Sequence, residues 1–192
     1  MKKGDTMTRI EGKTVAVLAT HGYEQSELEE PVRALREAGA TVHVIAPESG
    51  EITGWDATNW GRAVAVDLTL SEAKPSDYDA LVLPGGQINP DLLRVNEDAV
   101  AFVRDMWDAK KPIGAICHAP WLLIEAGIAK GHDLTSYHSI KTDVINAGGR
   151  WHDKEVVTDA GLVTSRQPSD LPAFCDKMIE EISEGKHQSR AA

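Results

Sequence analysis

Four short apolar runs, Thr14 to Thr20, Thr41 to Ala46, Tyr78 to Leu83 and Lys111 to Ile116, recur along the chain, and amphipathic segments follow several of them. That alternation is the pattern of a mostly parallel sheet covered by helices on both faces. After the first run, Leu28, Val32 and Leu35 fall on one helical stripe, and after the third, Val100, Val103 and Met106 mark another. Glu51 to Leu70 breaks the rhythm: two glycines and the alternating Ala63-Val64-Ala65-Val66 predict a small antiparallel excursion without a helix. Further on, Pro120 to Ala129 reads as a short apolar helix closed by Gly131, followed by a strand near Leu134 to Tyr137. Val156-Val157-Thr158 and Leu162-Val163-Thr164 flank the turn signal Asp159-Ala160-Gly161, and Asp170 to Ser183 carries the apolar stripe of a last helix.

A length of 192 residues suits one domain, expected over residues 14–185, with a disordered or frayed leader at 1–13 and a tail at 186–192. The leader has no apolar core and does not read as a signal peptide, and no run reaches a membrane span. Two cysteines 58 positions apart argue for a reducing compartment, so the expected location is cytoplasmic. A formal charge of −10 gives no electrostatic footprint for nucleic acid or for an anionic membrane surface. Small molecules and other protein chains are the expected partners.

The chemistry concentrates at Cys117. It ends an apolar strand and precedes a helix, and Ala115 and Ala119, two residues to either side, are small. A nucleophile elbow needs that pattern, because in so tight a turn larger flanking side chains collide. The elbow predicts a sparsely populated backbone conformation, an open sulfur and, near the helix's positive end, a thiol more acidic than usual. The plainer alternative is a buried core cysteine, the reading preferred for Cys175 inside the last helical stripe.

His118 is the neighbouring candidate proton acceptor. Gly85 and Gly86 end a strand parallel to the one before Cys117, so their N–H groups are candidates to face an oxyanion. Glu24 closes the first strand-to-helix turn at the same sheet edge. The seven histidines are scattered, without a His-Glu-x-x-His or zinc-spaced cysteines, and there is no Walker loop or G-x-G-x-x-G, so neither a metal nor a cofactor is assigned.

These residues resemble the PfpI group of intracellular proteases and deglycases, in the superfamily of the parkinsonism-associated deglycase and class I glutamine amidotransferases. The resemblance runs from about Thr14 to Glu181, on Gly22 to Leu28, Asp79 to Gly86, Ala115 to Pro120 and Leu134 to Tyr137. Asp143 to Gly148, Trp151 and Thr164 to Pro168 extend it. It implies a flavodoxin-like three-layer α/β/α sandwich, Cys117 as nucleophile with His118 beside it, and Glu24 hydrogen-bonding the sulfur as a protonated acid. It also implies a third acid reaching the histidine from a neighbouring subunit, hence a homodimer or higher homo-oligomer with Gln87 to Arg94 at the contact. Asp91 is the best match for that acid, in a stretch that departs from the family pattern by having Asp for Glu and one extra residue. Tyr137, with Gly85 and Gly86, is carried as an oxyanion or substrate-binding residue.

Three functions fit the same residues. One is a glyoxalase or deglycase acting on α-oxoaldehydes or their adducts with amines or thiols. The second is a cysteine peptidase with a Cys117-His118-Asp91 triad completed in trans, acting on peptides. The third is a redox-responsive stress protein whose Cys117 is oxidised.

Overall fold

The computed structural model describes residues 9–186, so residues 1–8 of the leader expected at 1–13 and residues 187–192 of the tail expected at 186–192 lie outside the described residues. Packed structure begins ahead of the expected Thr14. Ile10 is buried, and its N–H donates to Ala38 O at 3.0 Å. An apolar side chain that reaches the core is held there whatever precedes it.

The chain runs β1 (Thr14–Leu18), α1 (Gln25–Glu37), β2 (Thr41–Ala46), β3 (Glu51–Asp56), β4 (Asn59–Ala65), β5 (Leu68–Thr69), β6 (Ala80–Leu83), α2 (Ile88–Arg94) and α3 (Glu97–Asp108). It continues through β7 (Ile113–Ile116), α4 (Pro120–Glu125), β8 (Asp133–Leu134), α5 (Lys141–Asn146), β9 (Arg150–Trp151), β10 (Val157–Asp159), β11 (Leu162–Ser165) and α6 (Leu171–Glu184). A seven-stranded sheet is ordered β10-β11-β7-β6-β1-β2-β5, and only the β10–β11 pair is antiparallel. That hairpin turns on Ala160 and Gly161, with φ of 50° and 82°, the two left-handed residues a tight hairpin turn demands. β3 and β4 form the expected antiparallel excursion.

Both sheet faces are buried. Val15, Val17, Ala80 and Val82 pack with Leu28 and Leu35 of α1 and Phe174 and Met178 of α6. The intervening Ala16, Leu18, Leu81 and Leu83 pack on the other side with Phe102 and Met106 of α3 and Leu122 of α4. Alternation along each strand therefore feeds two cores, which is why the strands are apolar throughout. Gly114 in β7 admits α6, since a Cβ there would lie 2.6 Å from Met178 Sδ and 2.8 Å from Phe174 Cζ. Among the described residues no helix is long and apolar enough to cross a membrane.

Some elements depart from expectation. α4 ends at Glu125, and the left-handed residue that closes it is Gly127, at φ 78°, not Gly131. The strand expected from Leu134 to Tyr137 is confined to Asp133–Leu134, because the next residues bend toward the elbow and Tyr137 N donates to Cys117 O at 2.7 Å.

Candidate active site

β7 delivers Cys117 to the carboxyl edge of the sheet, and Pro120 opens α4 three residues later. Cys117 has φ 64°, the left-handed conformation expected at the elbow, which for a residue with a Cβ costs about 1–2 kcal/mol. The surroundings enforce it: Cys117 N donates to Ser165 O at 3.0 Å, Ala119 N donates to Ile116 O at 3.0 Å, and Ala115 and Ala119 are fully buried. The sulfur is not open as expected. Cys117 is only 7 % exposed, at the floor of a cleft of about 470 Å³ that Glu24, Trp55, Gln87, His118, Tyr137, Ser139 and Pro168 help to line.

The acid at the sulfur is Glu27, not Glu24. Glu27 is fully buried, its Oε2 accepts the Gly85 N–H at 3.0 Å, and its carboxyl hydrogen-bonds with the Cys117 thiol. Its Oε1 is buried without a hydrogen-bond partner among the described residues. Glu24 lines the cleft from the helix start, where Ser26 Oγ donates to its Oε1 at 3.3 Å. The reason is helical geometry: Glu27 belongs to the inward stripe of α1 with Leu28, Pro31, Val32 and Leu35, whereas Glu24 precedes the first turn. An acid standing on an apolar stripe was the signal in the sequence that identifies Glu27.

The two glycines also divide their work. A Cβ on Gly85 would lie 2.5 Å from Cys117 Cβ, 2.5 Å from Glu27 Oε2 and 2.6 Å from Ile116 O, so only glycine fits between nucleophile and acid. Its N–H is already taken by Glu27. The N–H groups of Gly86 and His118 point at the sulfur, that of Gly86 shared with the Glu27 carboxyl, which makes them the donors for charge developing there.

Burial, and then the charge of Glu27, push the Cys117 thiol up, against the hydrogen bonds from Gly86 and His118. This reverses the acidic thiol expected from the elbow alone, because the sulfur is enclosed and faces a carboxyl. Burial, and then the charge of Glu24, push Glu27 up to about 8. Two negative charges in so small a space are costly, so the pair keeps at least one proton between them and titrates as a unit.

His118 Nδ1 lies 3.2 Å from Cys117 Sγ and its Nε2 lies 3.1 Å from Ser139 Oγ. Burial, and then His138, lower its pKa, so the ring is neutral at pH 7. Tyr137 stacks on the imidazole at 4.9 Å and Trp121 packs at 5.2 Å, with the Arg94 guanidinium over the Trp121 ring. Asp91 is exposed on α2 and is not among the residues lining the cleft; within one chain it does not join the site. Ser139 takes the hydrogen bond that the expected triad gives to an acid, and a serine in an irregular segment carries no sequence signal for that role. Among the described residues no group of three or more His, Cys, Asp or Glu is placed to hold a metal ion.

A doubly covered parallel sheet with a strained cysteine at the carboxyl edge, flanked by a buried acid and a histidine, defines the class of α/β proteins built on a nucleophile elbow. Within it, the chain belongs to the DJ-1/PfpI family, whose profile matches residues 13–181. It is 43 % identical over 166 residues to Deglycase PfpI of Pyrococcus furiosus, covering 86 % of this chain and 97 % of that protein. It is 44 % identical over 165 residues to General stress protein 18 of Bacillus subtilis, covering 85 % and 94 %. The crystal structure of Drosophila melanogaster DJ-1beta superposes with a TM-score of 0.81 at 31 % identity, covering 91 % of each chain.

Proposed function

We propose that the protein is a cysteine enzyme of the glyoxalase and deglycase type, converting α-oxoaldehydes or their adducts to hydroxy acids through Cys117. The observation that carries this reading is the Cys117–Glu27 pair, a nucleophile hydrogen-bonded to a buried acid that can pass protons to and from it. An acid with a pKa of about 8 is suited to taking and returning protons near neutral pH. In the scheme the sulfur bonds to the aldehyde carbon while its proton passes by way of Glu27 to the carbonyl oxygen, giving a hemithioacetal. With an amine adduct, the C–S bond forms as the C–N bond breaks, and the amine leaves with the thiol's proton. Glu27 then removes the hydrogen from that carbon and the neighbouring carbonyl oxygen is protonated, giving an enediol. Return of a proton to the adjacent carbon, as the hydroxyl on the sulfur-bearing carbon gives up its own, yields a thioester, and water releases the hydroxy acid and the thiol. One carbon is oxidised and its neighbour reduced, so no external oxidant enters. The name of the Pyrococcus relative supports the same class.

Wild type and Cys117→Ala, assayed in parallel on methylglyoxal and on a peptide panel, test the proposal. Turnover of methylglyoxal that the variant loses, without peptide cleavage by either, is expected. Cleavage of peptides that depends on Cys117 overturns the reading in favour of a peptidase, and no turnover at all in favour of a redox role.

We also propose a homodimer or higher homo-oligomer formed through α2. Ile88, Leu92 and Val95 are 37 %, 49 % and 78 % exposed and recur along one side of this segment, beside Asp91. Unpartnered apolar side chains in a row are what a subunit contact covers. Sedimentation as a monomer at micromolar concentration overturns this and removes the route by which Asp91 of a second copy reaches His118.

A further inference from the structure

The thiol chemistry leaves one wall of the cleft without a task. Trp55 comes from β3, outside the main sheet, where the register with β4 shifts between Thr53 and Trp55. Such irregularities re-aim a side chain. The strand is then clamped to the start of α1: Trp55 N donates to Tyr23 O at 2.7 Å, and Glu24 and Trp55 form a β-bridge. The indole is fixed as well, with Nε1 donating to Ala57 O at 2.9 Å and Trp60 packed edge-on at 5.5 Å. A preorganised aromatic side chain and a carboxyl therefore share the mouth of the cleft that ends at Cys117.

The electrostatics of this wall have one sign. Among the described residues no Lys or Arg lines the cleft, His118 is neutral at pH 7, and Glu24 has Asp56 as a second acid close enough to raise its pKa after burial has done so. The space is also larger than a small aldehyde needs: about 470 Å³ falls in the range of roughly 300–1,000 Å³ that holds much bigger ligands.

We propose that Glu24 and Trp55 form a subsite for a cationic group, an ammonium or guanidinium carried by the amine-bearing part of the substrate, beside the aldehyde-derived carbon at Cys117. The aromatic ring offers the cation its negative face and the carboxylate offers charge-assisted hydrogen bonds. A bound cation holds Glu24 ionised, against the burial that favours its neutral form. This inference rests on the deglycase reading for its biological substrate but not for its binding chemistry, so the two can fail separately.

The test uses the intact protein with butylguanidinium as cationic probe and butyramide as neutral probe. Binding is measured by calorimetry, and protection of Cys117 from iodoacetamide locates it in the cleft. Wild type is expected to bind the cation at least about 10-fold more tightly than the amide and to be protected by it. Glu24→Gln should abolish that preference. Trp55→Leu should weaken cation binding about 5-fold, and Trp55→Phe, which keeps an aromatic face, should restore most of it. Equal binding of the two probes, or a preference that survives Glu24→Gln, overturns the subsite even if methylglyoxal is turned over. A preference lost in Glu24→Gln in a protein that turns over nothing supports the subsite and overturns only the deglycase reading.

Discussion

Glu24 and Glu27 stand three residues apart at the start of one helix, and the structure gives them opposite surroundings. Glu27 is enclosed, hydrogen-bonded to Gly85 and in contact with the thiol, whereas Glu24 faces the open cleft with Ser26 as its hydrogen-bond donor. Proximity in sequence to a motif therefore says little about which acid does the chemistry; the face of the helix decides. The sharpest way to break the comparison is to neutralise each. Glu27→Gln should lower kcat/KM for methylglyoxal by at least about 100-fold, the ordinary scale of general acid–base catalysis, and Glu24→Gln by less than about 10-fold. Equal losses from the two substitutions would make the distinction wrong.

The same pair separates in stability. Folding raises Glu27 from the ordinary 4.5 to about 8, so the folded state holds its proton more tightly than the unfolded chain does between those values. The contribution is fully present below pH 4.5 and is lost as pH rises toward about 8. Glu27→Gln cannot ionise. Denaturant unfolding of this variant should show a flatter decline across that window than wild type, so that the variant gains on wild type as pH increases.

The two glycines make a smaller contrast. Gly85→Ala forces a methyl group among Cys117, Glu27 and Ile116, and overpacking of this kind costs about 1–3 kcal/mol. Chemical denaturation should register that loss, together with a fall in turnover as nucleophile and acid are pushed apart. A variant of unchanged stability and activity would show that the close approach at Gly85 does not hold the pair together.

Much of this architecture was legible because buried strands and amphipathic helices leave patterns of different period. The runs ending at Leu83 and Ile116 and the small residues around Cys117 placed the elbow at the sheet edge, where β6 and β7 bring it. The pattern failed where contacts are made by single residues. Glu27 lies on the stripe of α1 but is polar, so a reading guided by apolar spacing passes over it. Trp55 reaches the cleft only through an irregular register in a hairpin, and Ser139 through a single 3-10 turn at His138–Ile140, neither of which is long enough to leave a periodic signature. The short helix α2 turns Ile88, Leu92 and Val95 outward, the reverse of what a core stripe does.

The cysteines give the smallest and most discriminating contrast. Cys117 and Cys175 are 7 % and 8 % exposed, and burial pushes both thiols up, so neither exposure nor acidity tells them apart. Backbone conformation does, since Cys117 has φ 64° while Cys175 lies inside α6. At Cys117, replacing Ala by Gly releases about 1–2 kcal/mol of left-handed strain, offset by about 0.5–1 kcal/mol of extra freedom in the unfolded chain. Cys117→Gly should therefore be more stable than Cys117→Ala, by about 1 kcal/mol or less. At Cys175 the sign reverses, because Gly in a helix interior is about 1 kcal/mol worse than Ala. Paired unfolding curves for the four variants measure both differences against a common native fold. If Gly lost to Ala at both positions, the elbow would not be storing strain at its nucleophile.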